Sequence, residues 1–345
     1  MNVNRIIEVK EGNTLEAAQG LLSSLLKAHL VDALFAPQTA ADSAMSSALV
    51  SDPDALAKSN PFAPVMVANA AKDVAQATLA QPDRHIGAVL RPCEIRALVE
   101  LAKRGRANLA NLTVVGIDCL GTLEPFDYMR KSLAAGGAAE MTMQCMQVAE
   151  EGEIMCQTRT ACQMCERPAP RGADVTLGFI GVDATQELLV IAADESADAR
   201  LRLSEMTDRL AHEAKVARRE ATLTNIIARH NAVADRELSK IETALGSLAG
   251  ALTMLATCTE CRLCLRACPL YDGELDDTSV SLVGQLGAIA RWLVSCSGCG
   301  MCQESCPNGV PLAVLARALS RPLRAKLDYT PGRSITEELP WAAAS

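Results

Sequence analysis

The pattern C-x2-C-x2-C-x3-C-P occurs twice near the C-terminal end of this chain. It places Cys258, Cys261, Cys264 and Cys268 before Pro269, and Cys296, Cys299, Cys302 and Cys306 before Pro307. Three thiolates from one tight loop and a fourth a helical turn further on suit the alternate corners of a cubane [4Fe–4S] cluster. In two-cluster proteins the fourth cysteine serves the other cluster. The spacing therefore predicts one set of Cys258, Cys261, Cys264 and Cys306, and a second of Cys296, Cys299, Cys302 and Cys268. Zinc is the plainer alternative, but zinc sites usually pair two Cys-x2-Cys knuckles across a longer spacer. A purely structural cluster is a further alternative, although two neighbouring clusters with crossed ligands suit conduction better.

Twenty-seven residues separate Cys268 from Cys296, and within them Leu282, Leu286, Ile289 and Leu293 follow helical spacing. A compact β-type ferredoxin usually has a shorter, strand-bearing spacer. The helical spacer resembles the α-helical ferredoxin type found in subunits of succinate dehydrogenase and heterodisulfide reductase.

The remaining chain is long enough for two or three domains, with 345 residues of which 49% are hydrophobic and 3% aromatic. Asn13 and Glu16 are placed as a capping pair for a helix on which Leu15, Ala18, Leu22 and Leu25 share a face. Apolar runs at 31–36, 65–68, 86–90, 112–117, 175–180 and 188–192 read as strands. Helical stretches near 71–80 and 94–103 fall between some of them. The alternation predicts an α/β domain with a mostly parallel sheet over 1–195. From about Glu195 the spacing of Leu203, Met206, Leu210, Ala214 and Ala217 predicts a helix, and a second run covers 235–256. Residues 196–256 read as an all-α connector, 257–325 as the dicluster domain, and 326–345 as a poorly structured tail or partner-binding arm.

The net charge of −8 argues against nucleic acid and against an anionic membrane surface as partners. No stretch is long and apolar enough to span a bilayer, and the polar start does not read as a signal peptide. A cytoplasmic setting is expected, where 14 cysteines are metal ligands sooner than disulfides.

Six cysteines lie outside the repeat. Cys93 follows the strand 86–90 and Cys119 follows the strand 112–117. Ligands of open α/β sheets gather beyond the carboxyl ends of strands. Cys162 and Cys165 add a chelating pair, so the four make a candidate third [4Fe–4S] site. Cys156 is the substitute ligand, Cys145 reads as structural, and a redox disulfide between Cys162 and Cys165 is the competing chemistry. No acid–base or nucleophilic constellation stands out. His29, His85, His212 and His230 are scattered and read as ordinary histidines.

Three segments carry a family resemblance: Arg91-Pro92-Cys93-Glu94-Ile95-Arg96-Ala97, Gly116-Ile117-Asp118-Cys119-Leu120-Gly121-Thr122, and Cys162-x2-Cys165 followed by Ala173-Asp174-Val175-Thr176-Leu177-Gly178. They resemble the β-subunit family of hydrogenases and dehydrogenases that use the deazaflavin coenzyme factor 420, formate dehydrogenase β subunits included. The resemblance covers roughly 1–195 and implies FAD, with Gly178 and Gly121 as candidate flavin contacts. In familiar members the ferredoxin motifs precede the α/β domain; here they follow it. That order resembles a bacterial branch associated with formate dehydrogenase and heterodisulfide-reductase-type partners. The implied role is an iron–sulfur, flavin-containing electron-transfer subunit of an oxidoreductase complex, relaying electrons between a hydride carrier and a partner subunit. The alternative is a self-sufficient reductase acting on a deazaflavin, NAD(P)H or a disulfide.

Overall fold

The computed structural model describes all residues except 41–42, 154–156, 274–280 and 343–345, and except the side chains at 248, 251 and 282. Eight strands form one sheet: β1 (Val3–Glu8), β2 (Ala33–Thr39), β3 (Met45–Val50), β4 (Ile86–Leu90), β5 (Leu112–Ile117), β6 (Val175–Gly178), β7 (Glu187–Ala192) and β8 (Arg209–Leu210). Their spatial order is β3-β2-β4-β5-β6-β7-β1-β8.

The sheet is mixed, which corrects the expectation of a mostly parallel one. β2, β4, β5 and β6 run parallel, while β3, β7, β1 and β8 pair antiparallel. The parallel strands were legible because central strands buried on both faces read as continuous apolar runs. Every residue of β4 and β5 is buried. β3 escaped notice because it is an edge strand whose Ser46 and Ser47 face solvent. β1 carries Asn4 and Arg5 among its apolar residues and pairs between β7 and β8, far from it in sequence. The expected strand at 65–68 is absent. Val65 forms only an isolated bridge to Leu123, and Pro61 and Pro64 remove donors from that loop.

Helices cover both faces. On one lie α1 (Thr14–Lys27), α4 (Pro125–Ala135) and α5 (Ala138–Gln147); on the other lie α2 (Ala71–Ala80) and α3 (Pro92–Lys103). The Asn13 side chain accepts from Glu16 N at 3.1 Å, so the capping pair forms as expected. The single turn α6 (Thr160–Gln163) lies in the β5–β6 crossover, and α7 (Glu195–Arg200) follows β7.

The helix expected through 203–217 is broken. Arg202 adopts a left-handed φ of 50°, Leu203–Glu205 make one 3₁₀ turn, and β8 intervenes before a helix restarts. That helix, α8 (Glu213–Leu245), has 33 residues. It stops at Gly246, where the Ser247 side chain caps α9 (Leu248–Leu255) by accepting from Gly250 N. The C-terminal region holds α10 (Leu263–Arg266), α11 (Leu282–Ser295), α12 (Met301–Glu304) and α13 (Leu312–Leu327). The helical spacer is therefore real, but its buried side is rotated from the expected one. Leu286 is 57% exposed, whereas Ala288, Leu293 and Val294 are buried.

α13 packs against α8, α11 and α6, and Leu270 buries itself among Leu98 and Leu101 of α3. The described part of the stretch from Thr330, through residue 342, is not loose. Tyr329 Oη donates to both Glu100 carboxylate oxygens at 2.7 and 2.8 Å, and Gly332 N donates to Glu100 Oε1 at 2.9 Å. Trp341 lies against the Arg104 guanidinium. Among the described residues no helix is long and apolar enough to cross a membrane.

Candidate metal centre

β4 and β5 end side by side at Leu90 and Ile117, and the chain turns there into the segments that carry Cys93 and Cys119, while Cys162 and Cys165 lie in the crossover between β5 and β6. Beyond β4, Pro92 opens α3, and Glu94 reaches back to accept from Arg91 N at 2.8 Å. Cys93 is thereby fixed in the first turn. Beyond β5, Cys119 is held by its N–H donating to Pro168 O at 2.9 Å. Cys162 lies on α6 and Cys165 just past it. Burial above all, with smaller contributions from Cys162 and Cys165, pushes the Cys119 thiol up to about 12. Burial likewise pushes Cys93 well up, with Glu94, Cys299 and Cys119 adding to the effect. The structure therefore brings Cys93, Cys119, Cys162 and Cys165 together. Cys156 lies outside the described residues. Cys145 is buried in the main core beside Met141 and Met146.

The two repeat loops share one backbone device. The second and fourth residues after the first cysteine are left-handed in both: Glu260 and Arg262, then Gly298 and Gly300. Such alternation turns successive N–H groups toward the concave side, where sulfur atoms can accept them. The second loop meets this need with glycine and the first does not, so only the first stores local strain.

The two repeat loops lie alongside each other: Asn308 Nδ2, two residues past Cys306, donates to Thr259 Oγ1, next to Cys258, at 3.3 Å. Burial first, then Cys299 and Cys296, push Cys268 up to about 12. Burial first, then Cys296, Cys299 and Cys268, raise Cys302. Cys264 is raised by burial and, more weakly, by Cys306 and Cys258. Trp292 Nε1, one helical turn before Cys296, donates to Cys268 Sγ at 3.2 Å. Cys258 and Cys261 are exposed, and the other repeat cysteines are partly covered.

Arg159 ties the two regions. Its guanidinium donates to Thr122 Oγ1 at 2.9 Å, to Cys162 Sγ at 3.8 Å, to Cys299 O at 3.5 Å and to Met301 Sδ at 3.3 Å. Thr122 N adds a bond to Cys162 Sγ at 3.4 Å. Sequence reasoning missed Arg159 and Trp292. The available signal was position: one lies three residues before Cys162, the other four before Cys296. His230 is nearer the site than expected, with Nδ1 2.7 Å from Cys165 O, and burial lowers its pKa.

The donor chemistry fits iron–sulfur clusters. Among the described residues no three His, Cys, Asp or Glu side chains close on one point as a lone ion requires. Thiolates that each bind a different corner of a cluster stay further apart.

The flavin positions do not fit. A Cβ at Gly121 would press Thr158 Cγ2 at 2.7 Å and Cys162 Cβ at 3.1 Å; one at Gly178 would meet Arg219 Nη1 and Leu189 Cβ at 3.2 Å. Protein already occupies both approaches, and the cavity beside Gly121 is about 20 Å³. A larger cavity of about 550 Å³ lies at the seam with the C-terminal region. Its walls include Cys165, Cys296, Cys302 and the arginines Arg96, Arg167 and Arg324.

Comparison with known proteins agrees with this division. Residues 83–217 match the family defined by the C-terminal part of the β subunits of coenzyme F420 hydrogenase/dehydrogenase, and residues 254–310 match the 4Fe–4S dicluster domain. The chain thus carries a segment similar to the β subunits of coenzyme F420 hydrogenase/dehydrogenase, followed by a segment similar to the 4Fe–4S dicluster domain. The F420-dependent formate dehydrogenase 1 subunit beta of Methanococcus maripaludis is 27% identical over 202 residues, covering 50% of this chain and 49% of that one. The chain therefore spans about half the length of that relative. A chain of the xenon-derivatised F420-reducing [NiFe] hydrogenase complex from Methanosarcina barkeri aligns with TM-score 0.47 at 11% identity, covering 69% of this chain and 92% of that one. That likeness is too loose to decide anything further.

Proposed function

We propose that this chain is an iron–sulfur electron-transfer subunit of an oxidoreductase complex of the formate dehydrogenase, hydrogenase or heterodisulfide reductase type. The observation that carries the proposal is the bridge made by Arg159, whose guanidinium donates to Cys162 Sγ at 3.8 Å and to Cys299 O at 3.5 Å. It supports reading the three sets in one order. The inner set is Cys93, Cys119, Cys162 and Cys165. The middle set is Cys296, Cys299, Cys302 and Cys268. The outer set is Cys258, Cys261, Cys264 and Cys306, and it alone has exposed members. When bound, [4Fe–4S] clusters supply one-electron transfer. Arg159 and Thr122 hold the inner loop against the middle one, and Trp292 fixes the crossing cysteine of the middle set. Membership of a complex is supported by the multi-subunit relatives, and an exposed outer set suits a protein partner. Because Gly121 and Gly178 do not fit a flavin, no step passes through one here.

Iron analysis of anaerobically purified protein tests the reading. Three four-iron sets give about twelve iron atoms per chain. Cys162→Ser removes about four and leaves the paramagnetic signals of the other two sets unchanged. A wild-type content of about eight defeats the inner set.

A further inference from the structure

The seam between the inner and middle sets gathers three arginines, Arg96 buried and Arg167 and Arg324 partly buried. Arg96 is 6% exposed, and its guanidinium donates to Ser297 O at 3.0 Å and Arg167 O at 3.4 Å. Arg167 donates to Pro331 O at 2.9 Å. Arg324 donates to Val294 O at 3.0 Å, Leu293 O at 3.2 Å and Cys296 O at 2.5 Å. Among the described residues none of the three forms an ion pair. The nearby acids are engaged elsewhere: Glu166 pairs with Arg317, and Glu100 takes Tyr329, Gly332 and Lys103. Carbonyl dipoles satisfy the guanidinium N–H groups but do not cancel full charges, and buried charge left unpaired is costly. The three guanidiniums converge on one cavity whose wall also holds Cys165, Cys296 and Cys302.

We propose that Arg96, Arg167 and Arg324 are the fixed counter-charge of the inner and middle clusters and hold their reduction potentials above that of the outer one. A cubane held by four thiolates is net anionic, and reduction adds one more negative charge. Fixed cations lining that cavity stabilise the reduced form, and salt screens partly buried charges less than exposed ones. Arg324 has a second effect. The three carbonyls that it binds close the C-terminal end of α11, the negative end of the helix dipole, beside Cys296. Without Arg324 that end would oppose electron entry into the middle cluster. Among the described residues no such arginine triad lies at the outer loop, and its Cys258 and Cys261 are exposed.

This inference rests on the three-set assignment, and redox titration followed by EPR tests it with an internal reference. Arg324→Gln makes reduction of the middle cluster at least about tenfold less favourable, or about 59 mV for one electron. Arg324→Lys restores most of the shift. Arg167→Gln lowers the inner and middle midpoints together and guards against failure of the first variant to fold. The outer midpoint stays fixed in all three. Full iron content with unmoved midpoints in both Gln variants overturns the proposal. So does an equal shift in Arg324→Gln and Arg324→Lys, which would mark a packing role. A wild-type iron content of about eight removes only the inner set, and the Arg324 shift on the middle cluster still decides the counter-charge.

Discussion

Asp118 stands between β5 and Cys119, so whatever fixes its carboxylate fixes the start of the inner cysteine loop. Arg219 of α8 grips it bidentately, with Nη2 2.6 Å from Oδ1 and Nη1 on Oδ2. Phe179 N and Ile180 N donate to Oδ2 at 3.0 and 3.1 Å. The pair is 0% and 5% exposed at its side chains. Gly181 permits the approach: its φ is +77°, and a Cβ there would lie 2.7 Å from Arg219 Cα. Arg219→Met keeps the packing volume but leaves a buried carboxylate with only two N–H donors. Removing one partner of a buried ion pair costs about 3–5 kcal/mol. Anaerobic urea unfolding followed by far-UV circular dichroism reads this loss directly. Asp118→Asn combined with Arg219→Met removes both charges and recovers most of the loss, because neutral groups avoid the penalty of an orphaned charge. Iron content follows, with the inner set depleted first in the single variant. A loss below about 1 kcal/mol, the range of an exposed pair, would show that solvent reaches the carboxylate and that the clamp does not position Cys119.

Two further outcomes follow from single contacts. Trp292→Phe deletes the indole donor to Cys268 Sγ, a bond whose net worth is about 0.5–1.5 kcal/mol. It lowers the middle midpoint in the same EPR titration, and an unmoved midpoint refutes the contact. Tyr329→Phe takes a donor from the fully buried Glu100 carboxylate and costs about 1–3 kcal/mol. Limited proteolysis then cuts the segment after residue 329 faster than in the wild type, and an unchanged cleavage rate refutes the docking.

What the sequence disclosed follows from how local each signal is. The repeat cysteines, the strands β4 and β5, and the Asn13–Glu16 cap each declare themselves within a dozen residues. β1 and β3 do not, since their partners lie far off or their outer faces are polar. The helix expected through 203–217 failed for a related reason. Apolar residues kept a helical period there, but Asp208 N and Ala211 N are taken by Ile6 O and Asn4 O of β1, and sheet pairing overrode the period. At the site, cysteines could be named singly because few other roles suit that many thiols in two fixed spacings. Arginines could not, because an arginine in sequence gives no sign of whether it ends in water or beneath a loop.

That asymmetry bears on how such a chain conducts. Thiolate spacing decides where clusters sit, yet the order and direction of transfer depend on differences between sites. Those differences arise from residues distant in sequence: Arg96 from α3, Arg167 from the β5–β6 crossover and Arg324 from α13 meet only because α13 packs onto α6, α8 and α11. In the outer set Cys258 and Cys261 remain exposed, while Cys264 and Cys306 are partly covered. A free two-cluster ferredoxin cut from residues 257–325 would keep all eight repeat cysteines and Arg324 but lose Arg96 and Arg167. Its two clusters would therefore lie closer in potential than they do in the whole chain. On the proposal above, the α/β domain would contribute more than an extra ligand set: it would make the middle position a better electron acceptor than its own loop alone.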